Sequence, residues 1–398
     1  MLPLIRRFAI LSALSVAFSS APLSAQSQPG SPDQSTPANA TPLPPQPTPA
    51  QSTAAPPPSA QQPGTLPEQA APPASANQPK AAKKDNDKPI SQADVHNASL
   101  WRDPGNISTK DLLHGDGGEA GQPVAPFKFI SEATNGSNPK FDVQDATGKK
   151  WRVKLAEEAR PEVVASRLLW AVGYYVNDDY LLHVATIQGL DIKRGSNLVH
   201  NGTQVIDARF ERKPGNNTKI AIWQWKDNPF RNTREFNGLR VMMAVLNNWD
   251  LKDVNNAVYT DKQTGHQTFL VSDIGATFAT NSLQTSRAQD KGNVDNYVSS
   301  KFIVKTTPTT VDFGTPAAPT GVLVKSGGIL AANYMKRRGY DWIGQDIPRE
   351  DARWIGSMLG QLTHEQLVDA FRAGNFPPES IDQYVTVLEG RIAQLKAL

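Results

Sequence analysis

The 398-residue sequence contains no cysteine, which excludes disulfide bonds, thiolate metal sites and lipid attachment through a cysteine. Its six histidines show no His-Glu-x-x-His or other paired spacing, so a zinc hydrolase site is not expected. Neither a Walker sequence nor a Gly-x-Ser-x-Gly motif occurs. The formal net charge is only +3, without the clustered Lys and Arg that nucleic-acid binding requires, so no nucleic-acid partner is expected.

Long hydrophobic runs are also scarce. The apolar run from Phe8 to Phe18 covers 11 residues and follows Arg6 and Arg7. This is the pattern of a secretory signal peptide, and a membrane-spanning helix needs roughly 20 apolar residues. The sequence therefore predicts a signal peptide over residues 1–25, with cleavage after Ala25 or alternatively after Ala21, and a mature chain without a transmembrane span. The protein is expected to be exported, either to the periplasm or as a secreted protein.

The segment that follows has little that could form a core. From 26 to 89 it holds 17 of the 32 prolines and no aromatic residue, valine or isoleucine. Such a segment buries too little apolar surface to offset its conformational entropy. We predict a disordered linker over residues 26–90, rich in Pro, Ala, Gln and Ser, which tethers the folded part to the cell envelope. A proline-rich ligand for an envelope partner is the alternative.

The remaining 300 or so residues show the patterns of an α+β fold. Strands are predicted at 127–130, 140–144, 151–155, 180–187 and 204–211, with a helix that begins at Pro161 after the third strand. A strand at 219–225 precedes a helix whose Asn232 and Glu235 have capping-box spacing. A hairpin through Gly265 and three helices from about residue 349 complete the chain, with Thr363 and Gln366 at cap spacing.

Two acidic motifs flank the predicted hairpin. Asp250-Leu-Lys252-x-x-Asn255 follows the helix, and Asp273-Ile-Gly275 follows the hairpin. Asp250 could accept the proton of an attacking hydroxyl, and Lys252 could neutralise charge on a transferred phosphoryl group. Asn255 and Asp273 supply the oxygen ligands that magnesium prefers, and Gly275 frees the backbone after them. The alternative is a polar loop in which Asp and Asn only form turns.

A basic residue on the third strand completes the set. Lys154 is suited to hold the phosphates of a nucleotide if a carboxylate fixes its ammonium. Glu162, in the first turn of the following helix, is the expected partner, with Glu157 and Glu158 as competitors. A solvated lysine, and a glutamate that only complements the helix dipole, are the alternatives.

Taken together, these motifs resemble the atypical protein-kinase-like superfamily, in particular its bacterial toxin-type, lipid-kinase-like, secretory-pathway and spore-coat branches. The resemblance spans about residues 127–280. It implies a two-lobed fold with a small β-rich N-lobe at residues 100–212 and a mostly helical C-lobe at 213–398.

The resemblance also implies roles. Lys154 and Glu162 would anchor ATP or another nucleotide, Asp250 would be the catalytic carboxylate assisted by Lys252, and Asn255 and Asp273 would bind Mg²⁺ or Mn²⁺. The expected activity is phosphoryl transfer to a hydroxyl of a protein, a glycan or a small molecule.

The sequence departs from that family at several points. No G-x-G-x-x-G loop is present, Asn248-Trp249 replaces His-Arg, and no Ala-Pro-Glu sequence follows. An inactive pseudokinase-like scaffold is therefore an alternative. A glycan-binding envelope protein is another, based on Trp223 and Trp225, although such aromatic residues are usually packed. Residues 280–334 support no assignment.

Overall fold

The structure is a computed structural model that describes residues 85–134, 136, 138–212, 217–248, 250–278, 291–314 and 339–398. The predicted signal peptide, most of the predicted linker and most of segment 280–334 lie outside these residues, as does Trp249. The described chain is a mixed α/β fold with three β-sheets and six α-helices. Within it, no helix has the length and hydrophobicity needed to cross a bilayer.

The first part of the described chain is rich in strands, and the last part is rich in helices. The strands are β1 (Ala98–Ser99), β2 (Phe127–Ala133), β3 (Lys140–Gln144), β4 (Lys150–Lys154), β5 (Asp179–Gln188), β6 (Val199–His200), β7 (Gln204–Arg212), β8 (Asn217–Ala221), β9 (Asn256–Asp261), β10 (Gln267–Val271), β11 (Ile303–Thr306), β12 (Thr310–Phe313) and β13 (Ile347–Pro348). The helices are α1 (Ala159–Ala171), α2 (Arg234–Val245), α3 (Val294–Ser299), α4 (Arg349–Leu359), α5 (His364–Ala373) and α6 (Pro378–Lys396).

The largest sheet has six strands in the order β4-β3-β2-β5-β7-β6, and β4 also pairs with β7. Five of these strands therefore close on themselves around one apolar core. Trp151, Val153, Phe141 and Phe210 are fully buried in that core. Because side chains alternate between the faces of a strand, the residues between them point to the other face.

That other face carries charged side chains in register. Lys140 lies opposite Lys154, which in turn lies opposite Arg209 on β7. Two residues along, Asp142, Arg152 and Glu211 form a second row. The pleat of three adjacent strands thus places one row of three cations beside a row of mixed charge.

Helix α1 links this sheet to a second hydrophobic core. It buries 11 of its 13 residues, so it has apolar neighbours on nearly every side. Leu168 and Leu169 pack into the core that α2 shares with α4, α5 and α6. Glu162 and Ser166, on another side of α1, are among its few buried polar residues.

The second sheet has the order β1-β10-β9-β8, and its β9–β10 hairpin runs between the two acidic motifs. The third sheet is the small antiparallel set β11-β12-β13. The hairpin joins the end of one motif, at Asn255, to the start of the other, at Ser272.

The predicted order of strands and helices agrees with the described elements, but some boundaries differ. Helix α2 is capped by Thr233, whose hydroxyl accepts from Phe236 N, and Asn232 instead adopts a left-handed φ of 70°. The predicted Asn232 cap is therefore wrong, whereas the capping box of Thr363 and Gln366 is present. The described chain also packs earlier than residue 100, because Ile90 N donates to Ile222 O.

Candidate functional site

The strand lysine is the centre of the site. Lys154 ends β4 and is 1% exposed, so it is not a solvated surface lysine. Its Nζ lies 2.7 Å from Glu162 Oε2, 2.7 Å from Glu158 Oε2 and 2.8 Å from Asp273 Oδ1. Burial opposes the charge, but the three carboxylates outweigh it and raise the pKa of Lys154. The ammonium is fixed by one group from helix α1, one from the turn before it and one from the second acidic motif.

Glu158 is a second partner of Lys154 beside the predicted Glu162. Its carboxylate also accepts from Asn138 and pairs with Lys291. A Cβ on Gly275 would lie 2.6 Å from Glu158 Cβ. The glycine of the second acidic motif is therefore required for close packing against Glu158. It does not adopt a left-handed backbone conformation.

A buried arginine supports the other side of Glu162. Arg209 Nη1 lies 2.6 Å from Glu162 Oε1 and 3.5 Å from Asp179 Oδ1, and its Nη2 lies 2.7 Å from Glu211. Burial raises the pKa of Glu162 to about 7, because desolvation outweighs the attraction of Arg209 and Lys154. The helix glutamate is thus held from two sides and is more than a first-turn residue that complements the dipole.

The first acidic motif forms a compact loop. Asn255 Nδ2 donates to the Asp250 carbonyl at 2.6 Å, and Lys252 Nζ lies 2.9 Å from Asp250 Oδ2. The neighbouring Asp253 has a different use, since its carboxylate accepts from Trp225 N at 3.0 Å. The loop is therefore anchored through Asp253, while the Asp250 carboxylate lies on the partly exposed side.

The two acidic motifs contact each other through the backbone. Asn255 O accepts from Ser272 N at 2.8 Å and from Asp273 N at 3.3 Å. Burial opposes ionisation of Asp273, but Lys154 and Lys140 outweigh it and lower its pKa. Asp273 is consequently a carboxylate at neutral pH, next to the residue predicted as its fellow metal ligand.

These contacts connect all six predicted site residues. The order of contact is Glu162, Lys154, Asp273, Asn255, Asp250 and Lys252. The roles assigned to them stay predictions. A cleft of about 180 Å³ is lined by three of them, Glu162, Lys154 and Asp273, together with Ser272, Lys140, Arg152 and Glu211. Asp250, Lys252 and Asn255 are not among its lining residues.

The oxygen groups of Asp273 and Asn255 suit a magnesium ion held partly by a ligand. No group of three or more His, Asp or Glu residues is arranged for a metal in the part of the chain that the structure describes. Magnesium in phosphoryl-transfer sites is usually held by one or two protein carboxylates and by phosphate oxygens, without a full protein cage. Asp273 with the Asn255 amide fits that pattern.

The structure adds residues that the motifs did not reveal. Lys140, Arg152 and Arg209 line the cleft on the same face as Lys154. Period-two alternation could have placed each on one face of its own strand, but their convergence depends on strand register. Trp223 and Trp225 are each 1% exposed and contact each other at 4.9 Å between ring centroids, which removes the basis of the glycan-binding alternative.

Comparison with known proteins gives one distant likeness. No family model matches the chain, and no curated protein matches it. Six chains of solved structures match, among them the Helicobacter pylori proinflammatory kinase CtkA. That alignment has 11% sequence identity and a TM-score of 0.38, and covers 69% of this chain and 98% of the other. A likeness so distant assigns neither a family nor an activity to this protein.

Proposed function

We propose that the protein is a phosphotransferase with a two-lobed, kinase-like fold that moves a phosphoryl group from a magnesium or manganese nucleotide to a hydroxyl. The observation that supports this most is the Lys154 ammonium held between Glu162 and Asp273. These residues lie on a strand, on the next helix and after a distant hairpin. Phosphoryl transfer depends on such positioning and on electrostatic stabilisation.

Each side chain has a defined task in this proposal. Lys154, fixed by Glu162, binds the phosphates of the donor. Asp250 orients the attacking hydroxyl and accepts its proton, and Lys252 neutralises charge on the group in transfer. Asp273 and Asn255 hold the metal ion, which would neutralise phosphate charge when bound.

The proposal also covers where the enzyme acts. The pattern of residues 1–25 and the proline-rich linker favour an exported protein attached to, or near, the cell envelope. A hydroxyl of an envelope protein or glycan is then the acceptor class most accessible to it. Because ATP is scarce outside the cytoplasm, the donor must reach the enzyme from a host compartment or be another phosphoanhydride.

A pseudokinase-like scaffold is the second candidate. It is favoured by the departures from the kinase motifs, namely the absence of a G-x-G-x-x-G loop and the presence of Asn248-Trp249 in place of His-Arg. The two candidates differ in turnover and agree on the shape of the cleft.

The test is the melting temperature of the full chain with and without ATP and Mg²⁺ or Mn²⁺, for the wild type and Asp273→Ala. A ligand at 100 times its Kd stabilises a fold by about 2.7 kcal/mol, so a rise of several degrees is expected for the wild type only. Asp369→Ala, which removes a partly exposed carboxylate of α5 that pairs with Arg372, is the matched control and should retain the rise.

Turnover is then measured with a γ-labelled nucleotide. Transfer of label to an acceptor or to the protein itself, lost in Asp250→Asn, supports the enzyme. A metal-dependent rise without any transfer supports the scaffold. No rise with any nucleotide, in the presence of either metal, would contradict the enzyme and leave a kinase-shaped scaffold without its chemistry.

A further inference from the structure

The charged face of the large sheet carries a row of three cations, and the proposed function does not by itself require all three. Lys140, Lys154 and Arg209 are cross-strand neighbours in one row. Lys154 and Arg209 are neutralised by Glu158, Glu162, Asp273 and Glu211. Lys140 differs from these two because it lacks such a carboxylate partner among the described residues.

Lys140 has no ion pair with a carboxylate among the residues that the structure describes. Burial and the neighbouring Lys154 lower its pKa. A partly desolvated ammonium beside a second ammonium is a binding place for an anion. The nearest groups of opposite charge that act on it are Asp273 and Glu162, which Lys154 already holds.

The turn beside Lys140 joins β2 to β3, where the proposed kinase-like fold would have a glycine-rich loop. A Cβ on Gly136 would lie 3.5 Å from Lys140 Nζ. Arg194 donates to the carbonyls of Thr134 at 2.9 Å and Gly136 at 2.7 Å. Since the sequence between β2 and β3 has a single glycine, a side chain must supply the phosphate contact that a glycine-rich loop would supply.

The second row leaves little room for specific recognition of a base. Asp142 and Arg152 form a two-bond pair at 2.9 and 3.2 Å, and Glu211 faces Arg152 across the strands. The apolar lining is limited to Val254, Ala257 and the ring of Tyr259, and the other lining residues are polar or charged. A base would therefore find only a small apolar surface, on which any ring can stack.

The size of the cleft agrees with this. Its volume of about 180 Å³ is below the roughly 300–1,000 Å³ of pockets that enclose a whole small-molecule ligand. A phosphate chain needs less room than a complete nucleotide.

We infer that the cleft selects its donor by the phosphate chain, bound by Lys140 together with Lys154, and that it discriminates weakly between the groups attached to that chain. The inference rests on the proposed function and names its donor class: nucleoside triphosphates of any base and inorganic polyphosphate. Lys140 is the residue that determines this specificity.

The experiment is calorimetric titration of the full chain with Mg²⁺ and four probes: ATP, CTP, tripolyphosphate and adenosine. The first three are expected to bind with Kd values within about tenfold of one another, and adenosine should not bind. Lys140→Met should weaken the three phosphate probes equally, by about tenfold or more, because a charge-assisted contact is lost. Lys140→Arg, which keeps the charge, should retain most of the affinity.

Lys150→Met is the matched control. Lys150 lies on the same strand and face but is exposed and about 13 Å from Lys154 along the strand. It should leave all four titrations unchanged, and all variants should keep the wild-type melting temperature without ligand. ATP that binds a hundredfold more tightly than CTP and tripolyphosphate would overturn this inference and leave the proposed function intact. Equal binding by wild type and Lys140→Met would overturn the role of Lys140, and no binding by any probe would overturn both proposals.

Discussion

The two faces of strands β3, β4 and β7 differ as much as any two regions of the molecule. On the inner face, Phe141, Trp151, Val153 and Phe210 are fully buried in the apolar core. On the outer face, at positions one residue away, are the cations Lys140, Arg152, Lys154 and Arg209. Carboxylates from three other segments, Glu158, Glu162 and Asp273, pair with Lys154 there.

Residues that stabilise the fold and residues proposed to bind a ligand therefore alternate along the same strands, one position apart. The inner face stabilises the fold through the removal of apolar surface from water, at roughly 25 cal/mol per Å². The outer face gains little net stability, since the desolvation of buried ions offsets most of their attraction. Under the proposed function, this charged network serves to bind the donor. The predictions below test this division, in order of their expected effect on the free energy of unfolding.

The largest loss of stability should follow Trp151→Ala. Trp151 is fully buried, contacts Tyr180 and Phe210, and donates from Nε1 to Asp145 Oδ2 at 2.9 Å. The cavity alone should cost about 3–5 kcal/mol, and Asp145 also loses a donor. Urea unfolding measures the loss, with Lys150→Ala as the neighbouring exposed control. A cost below about 1 kcal/mol would show that the inner face does not stabilise the fold.

Lys154→Met should come next, at about 3–5 kcal/mol, because it leaves Glu158 and Glu162 with less positive charge in a buried site. The double variant Lys154→Met with Glu162→Gln should recover part of that stability, since it also removes a carboxylate. Neither variant should bind ATP with Mg²⁺. Urea unfolding and calorimetry separate the two effects, and a double variant that regains binding would contradict the division between the faces.

Gly275→Ala should cost about 1–3 kcal/mol, as expected for overpacking. The added methyl would approach the Glu158 side chain and would lie 2.8 Å from the Glu158 carbonyl oxygen. Glu158 would shift and loosen its pair with Lys154. The check is urea unfolding beside Gly265→Ala, whose added Cβ has open space around it but a strained φ of 69°. A Gly275→Ala protein with wild-type stability and affinity would exclude this contact as a determinant of the site.

These residues also show what the sequence could predict. Local patterns identified the strand that carries Lys154, the helix that carries Glu162 and the two acidic motifs, because each depends on neighbours within a few positions. Lys140 and Arg209 were missed, since their proximity to Lys154 depends on pairing between strands, with residues 14 and 55 positions away in the sequence. The Asn232 cap was wrong because Thr233, one residue later, has an extended backbone and a hydroxyl that caps the helix in place of the asparagine amide.

The pH dependence of stability should reveal the buried Glu162. Its pKa is about 7 in the folded protein and about 4.5 when unfolded, so between these values the folded state holds a proton that the unfolded state has lost. This group's contribution to stability therefore falls as pH rises from about 4.5 to about 7. Asp273, whose pKa is lowered, acts below that window and with the opposite sign.

The measurement compares urea midpoints of wild type and Glu162→Gln at pH 5 and pH 7.5. The wild type should lose more stability over this range than the variant does. Parallel pH profiles would show that Glu162 is ionised throughout.

The smallest effect on stability should come from Asp250→Asn. The Asp250 carboxylate is 23% exposed and pairs with Lys252, which is 53% exposed, and such a pair contributes at most about 1 kcal/mol. The asparagine keeps the backbone carbonyl that Asn255 binds, so the loop should keep its shape. If Asp250 accepts the proton of the acceptor hydroxyl, transfer should fall about 100- to 10,000-fold while donor affinity stays the same.

Asp253→Asn, in the same loop, is the control. It should lower the stability and leave the transfer rate unchanged, because it weakens the anchor to Trp225 N without touching the proton acceptor. Equal loss of transfer in both variants would mean that the loop acts through its shape, and the catalytic role of Asp250 would be lost.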